Sequence, residues 1–115
     1  MGVDILGGPS WNWAGWQSLY DFGVRYGWEP AGTNPMRIEG HNLVPEDDPA
    51  EIAKWPGSYF YNEYQEVSRE DAENWADAIE RGLADIGEDP DRWEHDPKVR
   101  EFTKFLRCCD GFLIG

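Results

Sequence analysis

Apolar side chains recur at helical spacing in three stretches of the chain. From about Trp11 to Tyr26, the residues Trp13, Trp16, Leu19, Tyr20, Gly23 and Val24 fall on one helical face. Gln17, Ser18, Asp21 and Arg25 fall on the other. Gly7-Gly8-Pro9 breaks the chain ahead of this helix, Ser10 or Asn12 supplies the cap, and Gly27 supplies the stop. The second stretch opens at Ser68. Ser68-Arg69-Glu70-Asp71 has the spacing of a capping box, with Asp in place of the usual Glu. Ala72, Trp75, Ala76, Ile79, Leu83 and Ile86 then form an apolar stripe that ends at Gly87. In the third, from about Lys98 to Cys109, Val99, Phe102, Phe105, Leu106 and Cys109 point inward, and Arg100, Lys104 and Arg107 line the outer face. Asp89-Pro90 and His95-Asp96-Pro97 are turn or helix-start signals ahead of it.

Strand signals are shorter. Tyr59-Phe60-Tyr61 reads as a strand by its aromatic content, with Asn62-Glu63-Tyr64 as a turn and Gln65-Glu66-Val67 as the return of a hairpin. The turn lacks the Asn-Gly or Asp-Gly pair that favours tight hairpins. Phe112-Leu113-Ile114, after the Asp110-Gly111 turn, is expected to join that hairpin. Residues 31–57 are punctuated by Gly32, Pro35, Gly40, Pro45, Pro49, Pro56 and Gly57. Within them Met36–Ile38 suggests a short strand. Glu46-Asp47-Asp48-Pro49 starts a turn of helix through Lys54 that Trp55-Pro56-Gly57 ends. The expectation is one α+β domain over residues 1–115, a small antiparallel sheet of about three to four strands covered by two or three helices.

Charge divides the chain unevenly. The formal net charge is −13. Residues 1–45 carry −2, residues 46–96 carry −13 and residues 97–115 carry +2. Such an excess repels nucleic acid and anionic membranes and favours a basic partner. It also suits a solvated or salt-adapted surface, with three lysines against seven arginines. The aromatic content of 15% is that of a folding chain and not of a disordered one. No run of about 18 apolar residues occurs, and Met1–Gly8 does not read as a signal peptide. Leu6 stands where a myristoylation signal wants Ser or Thr. The only cysteines, Cys108 and Cys109, are adjacent, and a disulfide between helical neighbours needs backbone strain, so free thiols and a cytoplasmic location are expected.

Candidate chemistry is thin. His41 and His95 have no zinc-type partner spacing. Asp89, Asp91, Glu94 and Asp96 cluster carboxylates without the central glycine of a calcium loop. Cys108 and Cys109 sit at the end of a helix, where the dipole disfavours a thiolate. Gly7-Gly8-Pro9-Ser10 is no phosphate cradle, because Pro9 lacks an amide donor and no lysine follows. No catalytic residue, metal or cofactor is assigned. Two charged stripes stand out instead. Glu73, Asp77 and Glu80 on one helix and Arg100, Lys104 and Arg107 on another share the i, i+4, i+7 spacing, either as solvated faces or as contacts to a partner or a second copy. Trp11, at the edge of its helix's buried face, is a candidate exposed contact.

Three pieces together carry a resemblance: Tyr26-Gly27-Trp28-Glu29-Pro30-Ala31-Gly32-Thr33; the run from Asn62 to Leu83 with Val67-Ser68-Arg69-Glu70-Asp71-Ala72; and the ending Phe105 to Ile114. The chain resembles small uncharacterised bacterial proteins of similar length. In these a GW-x-P-x-GT turn follows the first helix, an N-x-x-Q-x-V-[ST]-x-EDA stretch enters a long helix, and a Gly-Phe strand closes the chain. The match spans about half of the sequence. It departs at Asn62-Glu63-Tyr64, where an Asp-Gly turn is expected, and at Asp110, where a second glycine is expected. The resemblance implies a shared α+β fold and no activity.

The leading expectation is a non-enzymatic protein-binding or regulatory module, of the immunity or inhibitor kind, that meets a basic protein through Glu73, Asp77, Glu80 and Trp11. The alternative is a small hydrolase or ligand-binding domain whose site is walled by residues 29–57, with Asn34, Arg37, His41 and Asn42 as its polar groups.

Overall fold

The computed structural model describes residues 2–89 and 91–115. Pro90, half of one turn signal, and Met1 lie outside the described residues. Strands β1 (Gly2–Val3) and β2 (Trp11–Asn12) pair antiparallel ahead of helix α1 (Trp13–Arg25). Asn12 caps α1 by accepting from the Gly15 amide at 2.7 Å, and Gly27 follows with φ of +100°. The helix therefore starts two residues later than the expected Trp11. Trp11 instead becomes strand.

Helix α3 (Arg69–Ile86) forms as its stripe predicts, with Ala72, Trp75, Ala76 and Ile79 buried and Ser68 accepting from the Asp71 amide. Helix α4 (Pro97–Cys108) starts one residue early because Pro97 takes the first helical position and Asp96 caps it through the Lys98 amide. A 3-10 turn, Trp93–His95, precedes it. The three helices α1, α3 and α4 pack on one another and enclose most of the core.

The core-facing side of α1 is rotated from the expected one. Trp16, Leu19, Phe22 and Gly23 are buried, whereas Trp13 and Val24 are exposed, Trp13 at 47%. At about 100° per residue, Trp13 and Val24 lie roughly 90–110° to one side of the arc centred on Trp16, Leu19 and Gly23. Phe22 is drawn inward from the opposite side because α3 offers Gly82 there, with no side chain to exclude the ring.

The sheet portion is antiparallel but divided. Strand β5 (Gln65–Val67) pairs with β6 (Phe112–Ile114), and β3 (Met36–Glu39) pairs with β4 (Asn42–Pro45). Single bridges Ile5–Ile114 and Asn34–Glu66 extend the β5–β6 ladder on both sides, so four chain segments lie in a row there.

Phe112–Ile114 joins Gln65–Val67 as expected, but Tyr59–Tyr61 is not its hairpin partner. The Tyr59 carbonyl accepts from Trp16 Nε1 at 2.7 Å, and the buried Gln65 amide donates to the Ser58 and Tyr61 carbonyls. Side chains thus take the acceptors a ladder would use, and Tyr64 turns the chain at φ of +60°. The β3–β4 hairpin extends the short strand expected at Met36–Ile38 into a pair turned at Gly40.

Helix α2 (Pro49–Lys54), capped by Asp48, forms as expected and has no buried residue. Residues 29–58 contribute nothing to the hydrophobic core cluster or to the apolar side chains packed against it. They form an arm tied at its base by the Thr33 amide to the Gly57 carbonyl and by the Glu46 amide to the Pro35 carbonyl. The molecule is 48 Å long and 24 Å across, in keeping with an arm outside the core. No described helix is long and apolar enough to cross a membrane.

Candidate functional site

The two charged stripes meet inside one molecule. Arg107 of α4 reaches α3, with Nη2 2.7 Å from Asp77 Oδ1 and Nε 2.9 Å from Glu80 Oε1. Glu73 takes Arg69, one turn earlier on its own helix, at 3.2 Å. Hydrogen bonds to Glu80 and Asp77 push the Arg107 guanidinium further up, and the same bond from Arg107 holds the Glu80 carboxyl below its usual range. All three partners are a third or more exposed, so each pair contributes at most about 1 kcal/mol. Arg100 and Lys104 have no carboxylate within ion-pair distance among the described residues. The spacing of each stripe is legible in the sequence. That the helices bring them together is not, because helix periodicity does not state which helices become neighbours.

Trp11 is half-buried. Its ring stands edge-to-face on Phe102, with centroids 5.7 Å apart, and Lys98 Nζ lies 4.3 Å from the ring centroid. Trp16, Trp28 and Trp75 each donate their indole N–H to an acceptor, whereas Trp11 Nε1 is buried without one. Trp11 and Trp93 line a groove of about 390 Å³ between the starts of α1 and α4.

The residues expected to wall a ligand cleft do not gather. Asn34 donates to Glu66, Arg37 pairs with Glu39 and Asp47, and His41 and Asn42 are exposed at the hairpin tip. The geometry gives that alternative no convergent site. Cys108 and Cys109 are free thiols. Burial pushes the Cys109 thiol up, away from the thiolate a nucleophile needs. The Asp89–Asp96 cluster is used locally: Asp89 accepts from the Asp91 amide, Glu94 pairs with Arg92 at 2.9 Å, and Asp96 caps α4. Among the described residues, no three of His, Cys, Asp and Glu are grouped to hold a metal ion.

Sequence reasoning misses the most heavily bonded carboxylate. Asp71 is 2% exposed. Its Oδ1 accepts from Trp28 Nε1 at 3.0 Å and from the Ala31 amide at 3.1 Å, and its Oδ2 accepts from the Tyr59 hydroxyl at 2.6 Å. The Tyr59 oxygen in turn accepts from the Gly32 amide at 2.9 Å. Burial first, and the Asp71 bond second, push the Tyr59 hydroxyl far above the usual phenol range, so it stays a donor. This carboxylate ties the 28–33 loop and the Tyr59 segment to the start of α3. The Ser-x-x-Asp spacing suggests a capping role for the side chain. It turns inward instead, and only the Asp71 amide takes part in the cap.

Acid should loosen this fold in a defined window. Burial pushes the Glu94 carboxyl up, but the Arg92 hydrogen bond and its charge more than offset this, leaving the group below 4.5. Glu80 is also held below 4.5. Groups with depressed folded values contribute stability above the unfolded value and lose it as pH falls through the folded one. Urea unfolding followed from about pH 7 to about pH 2.5 should show this part of the stability fading below about pH 4.5. Glu94→Gln should reduce the slope there. An identical slope in Glu94→Gln would show that the Arg92 pair adds nothing.

No family model, curated protein or solved structure matches this chain.

Proposed function

We propose that this protein is a non-enzymatic cytoplasmic module that binds and regulates another protein through its acidic surface, as immunity proteins and inhibitors do. One observation carries the reading. Of the many carboxylates in residues 46–96, only Asp71 and Glu94 are buried, so nearly the whole block of negative charge faces solvent around one face of α3 and the α2 arm. The few basic residues of that segment neutralise a minority of it. Such a field steers a basic protein and raises its association rate. Glu73, Asp77 and Glu80 form the ordered part of the surface, and the Trp11–Trp93 groove adds aromatic area of the kind that anchors interfaces.

The test is a pull-down from native lysate at low salt, comparing the wild type with the Glu73→Lys, Asp77→Lys, Glu80→Lys triple variant. The wild type should retain a basic protein that elutes as salt is raised, and the triple variant should lose it while keeping its circular dichroism spectrum. Retention of the same proteins by both forms would reject the acidic surface as the contact.

A further inference from the structure

The arm is an amphipathic hairpin whose apolar face is only partly covered, with Met36 and Leu43 half-buried and Ile38 and Pro45 exposed. Opposed residues of an antiparallel pair share a face. The register places Met36 and Pro45, then Ile38 and Leu43, on one side, and Arg37 and Val44, then Glu39 and Asn42, on the other. The first face is apolar throughout. Ile38 is 72% exposed, the most exposed of the large hydrophobic side chains. None of the four residues packs on the core. An isolated two-stranded hairpin is marginal in water. The arm as a whole is acidic: it carries Glu39, Glu46, Asp47, Asp48 and Glu51 against Arg37 and Lys54, which pair with Glu39, Asp47 and Glu51.

The same molecule carries the complementary shape and charge elsewhere. A groove of about 450 Å³ runs between α3 and α4. Leu83, Thr103 and Cys108 line it, and Arg100, Lys104 and Arg107 rim it with Glu80, which pairs with Arg107. Arg100 and Lys104, like Arg25, Arg81 and Lys98, have no ion pair among the described residues. Arg100 and Arg107 are about 10 Å apart along the helix axis at about 1.5 Å per residue, and a four-residue strand spans about 13 Å. An apolar strip on an acidic arm thus fits, in length and sign, an apolar groove whose rim is net basic.

We propose that the β3–β4 arm of one molecule seats its Met36–Ile38–Leu43–Pro45 face in the α3–α4 groove of a second copy, and that the second copy does the same in return. The reciprocal arrangement follows from size. One ten-residue arm covers less than the roughly 1,200–2,000 Å² that stable interfaces bury, and two arms about a two-fold axis double it and close the assembly. The net charge of −13 opposes association at long range, but at about 0.15 M salt charges more than about 8 Å apart are screened while contacts across the groove survive. This pairing does not rest on the basic partner proposed above, although Glu80 belongs to both surfaces.

Sedimentation equilibrium at physiological salt tests it. The wild type should show a concentration-dependent mass approaching two chains. Ile38→Lys and Lys104→Glu each change an exposed side chain, so both should keep the fold, and each should weaken pairing about tenfold or more, as expected for losing one buried aliphatic contact or one rim charge. An equal mixture of the two variants should regain mass. In the mixture one intact arm meets one intact groove, and the substituted arm meets the substituted groove, the new lysine facing the new glutamate. A wild type that stays one chain overturns the proposal. So does a pair indifferent to both substitutions, a mixture no heavier than its parts, or a mass that rises past two chains.

Discussion

Asp71→Asn should lower the unfolding free energy by about 3 kcal/mol, the cost of stranding buried donors around one site. The carboxylate accepts on both oxygens: from Trp28 and Ala31 on one, and from Tyr59 on the other. An amide has a single acceptor oxygen. Whichever way it turns, its NH₂ group faces donors that point inward. The substitution also removes a negative charge from the first turn of α3, where the helix dipole favours it. Urea unfolding should report the loss as a lower midpoint at an unchanged slope. Tyr59→Phe alone should cost less, about 1–2 kcal/mol, because it leaves the Gly32 amide and Asp71 Oδ2 unpaired while Asp71 Oδ1 keeps its bonds from Trp28 and Ala31. In the Tyr59→Phe background Asp71→Asn should then cost less than in the wild type, since the two act through one bond. An Asp71→Asn effect within about 0.5 kcal/mol would show that the network is incidental to the fold.

Gly23→Ala should destabilise by about 1–3 kcal/mol, as overpacking of a filled core does. Helix propensity alone predicts the reverse sign, a gain of about 1 kcal/mol. The difference lies in what surrounds the position. A Cβ on Gly23 would stand 2.6 and 2.7 Å from Trp75 Cδ1 and Nε1 and 2.9 Å from Trp28 Cε3. Those rings cannot step aside. Trp28 and Trp75 are stacked with centroids 4.3 Å apart and planes 4° from parallel, and Trp75 Nε1 donates to the Leu19 carbonyl. Thermal unfolding with near-ultraviolet dichroism would show both a lower midpoint and a changed tryptophan signal. A Gly23→Ala protein as stable as the wild type, with the same aromatic spectrum, would mean the α1–α3 contact relaxes freely.

These two residues also mark how far the sequence can be read. Gly23 falls on the apolar face of α1 by spacing, but nothing in the spacing says that an indole lies against its Cα. Asp71 is placed by its pattern at the right turn of the right helix and given the wrong task. The capping-box pattern describes local bonds, and its side chain is claimed by residues 43, 40 and 12 positions away. The expected strand at Tyr59–Tyr61 fails for the same reason. Its aromatic content suits a strand, yet Trp16, 43 positions away, takes the Tyr59 carbonyl and the Gln65 side chain, four positions on, takes that of Tyr61. The arm reads in pieces, as a short strand, a set of breakers and a helical turn. Its apolar face emerges only from the register of β3 on β4.

Among the surfaces, the acidic stripe Glu73, Asp77, Glu80 is legible because it depends only on the period of one helix. Its partial neutralisation by Arg107 depends on α3 and α4 being neighbours. Trp11, expected at the edge of the helix's buried face, is instead half-buried in β2. Trp13, expected inside, is outside because the cap at Asn12 and the close approach at Gly82 set the rotation of α1.

By itself the sequence determined what is short-range: the three long helices, their caps and stops, the α+β class, the concentration of charge in residues 46–96 and the free thiols of Cys108 and Cys109. Each rests on interactions within a turn or on composition, which any chain of this pattern carries before it folds. Tertiary structure alone decided the rest: the rotation of α1, the buried carboxylate at Asp71, the exclusion of Tyr59–Tyr61 from the sheet of β5 and β6, and an arm left outside the core. Those depend on which distant groups compete for the same donor, acceptor or volume, and that competition is settled only when the whole chain is packed.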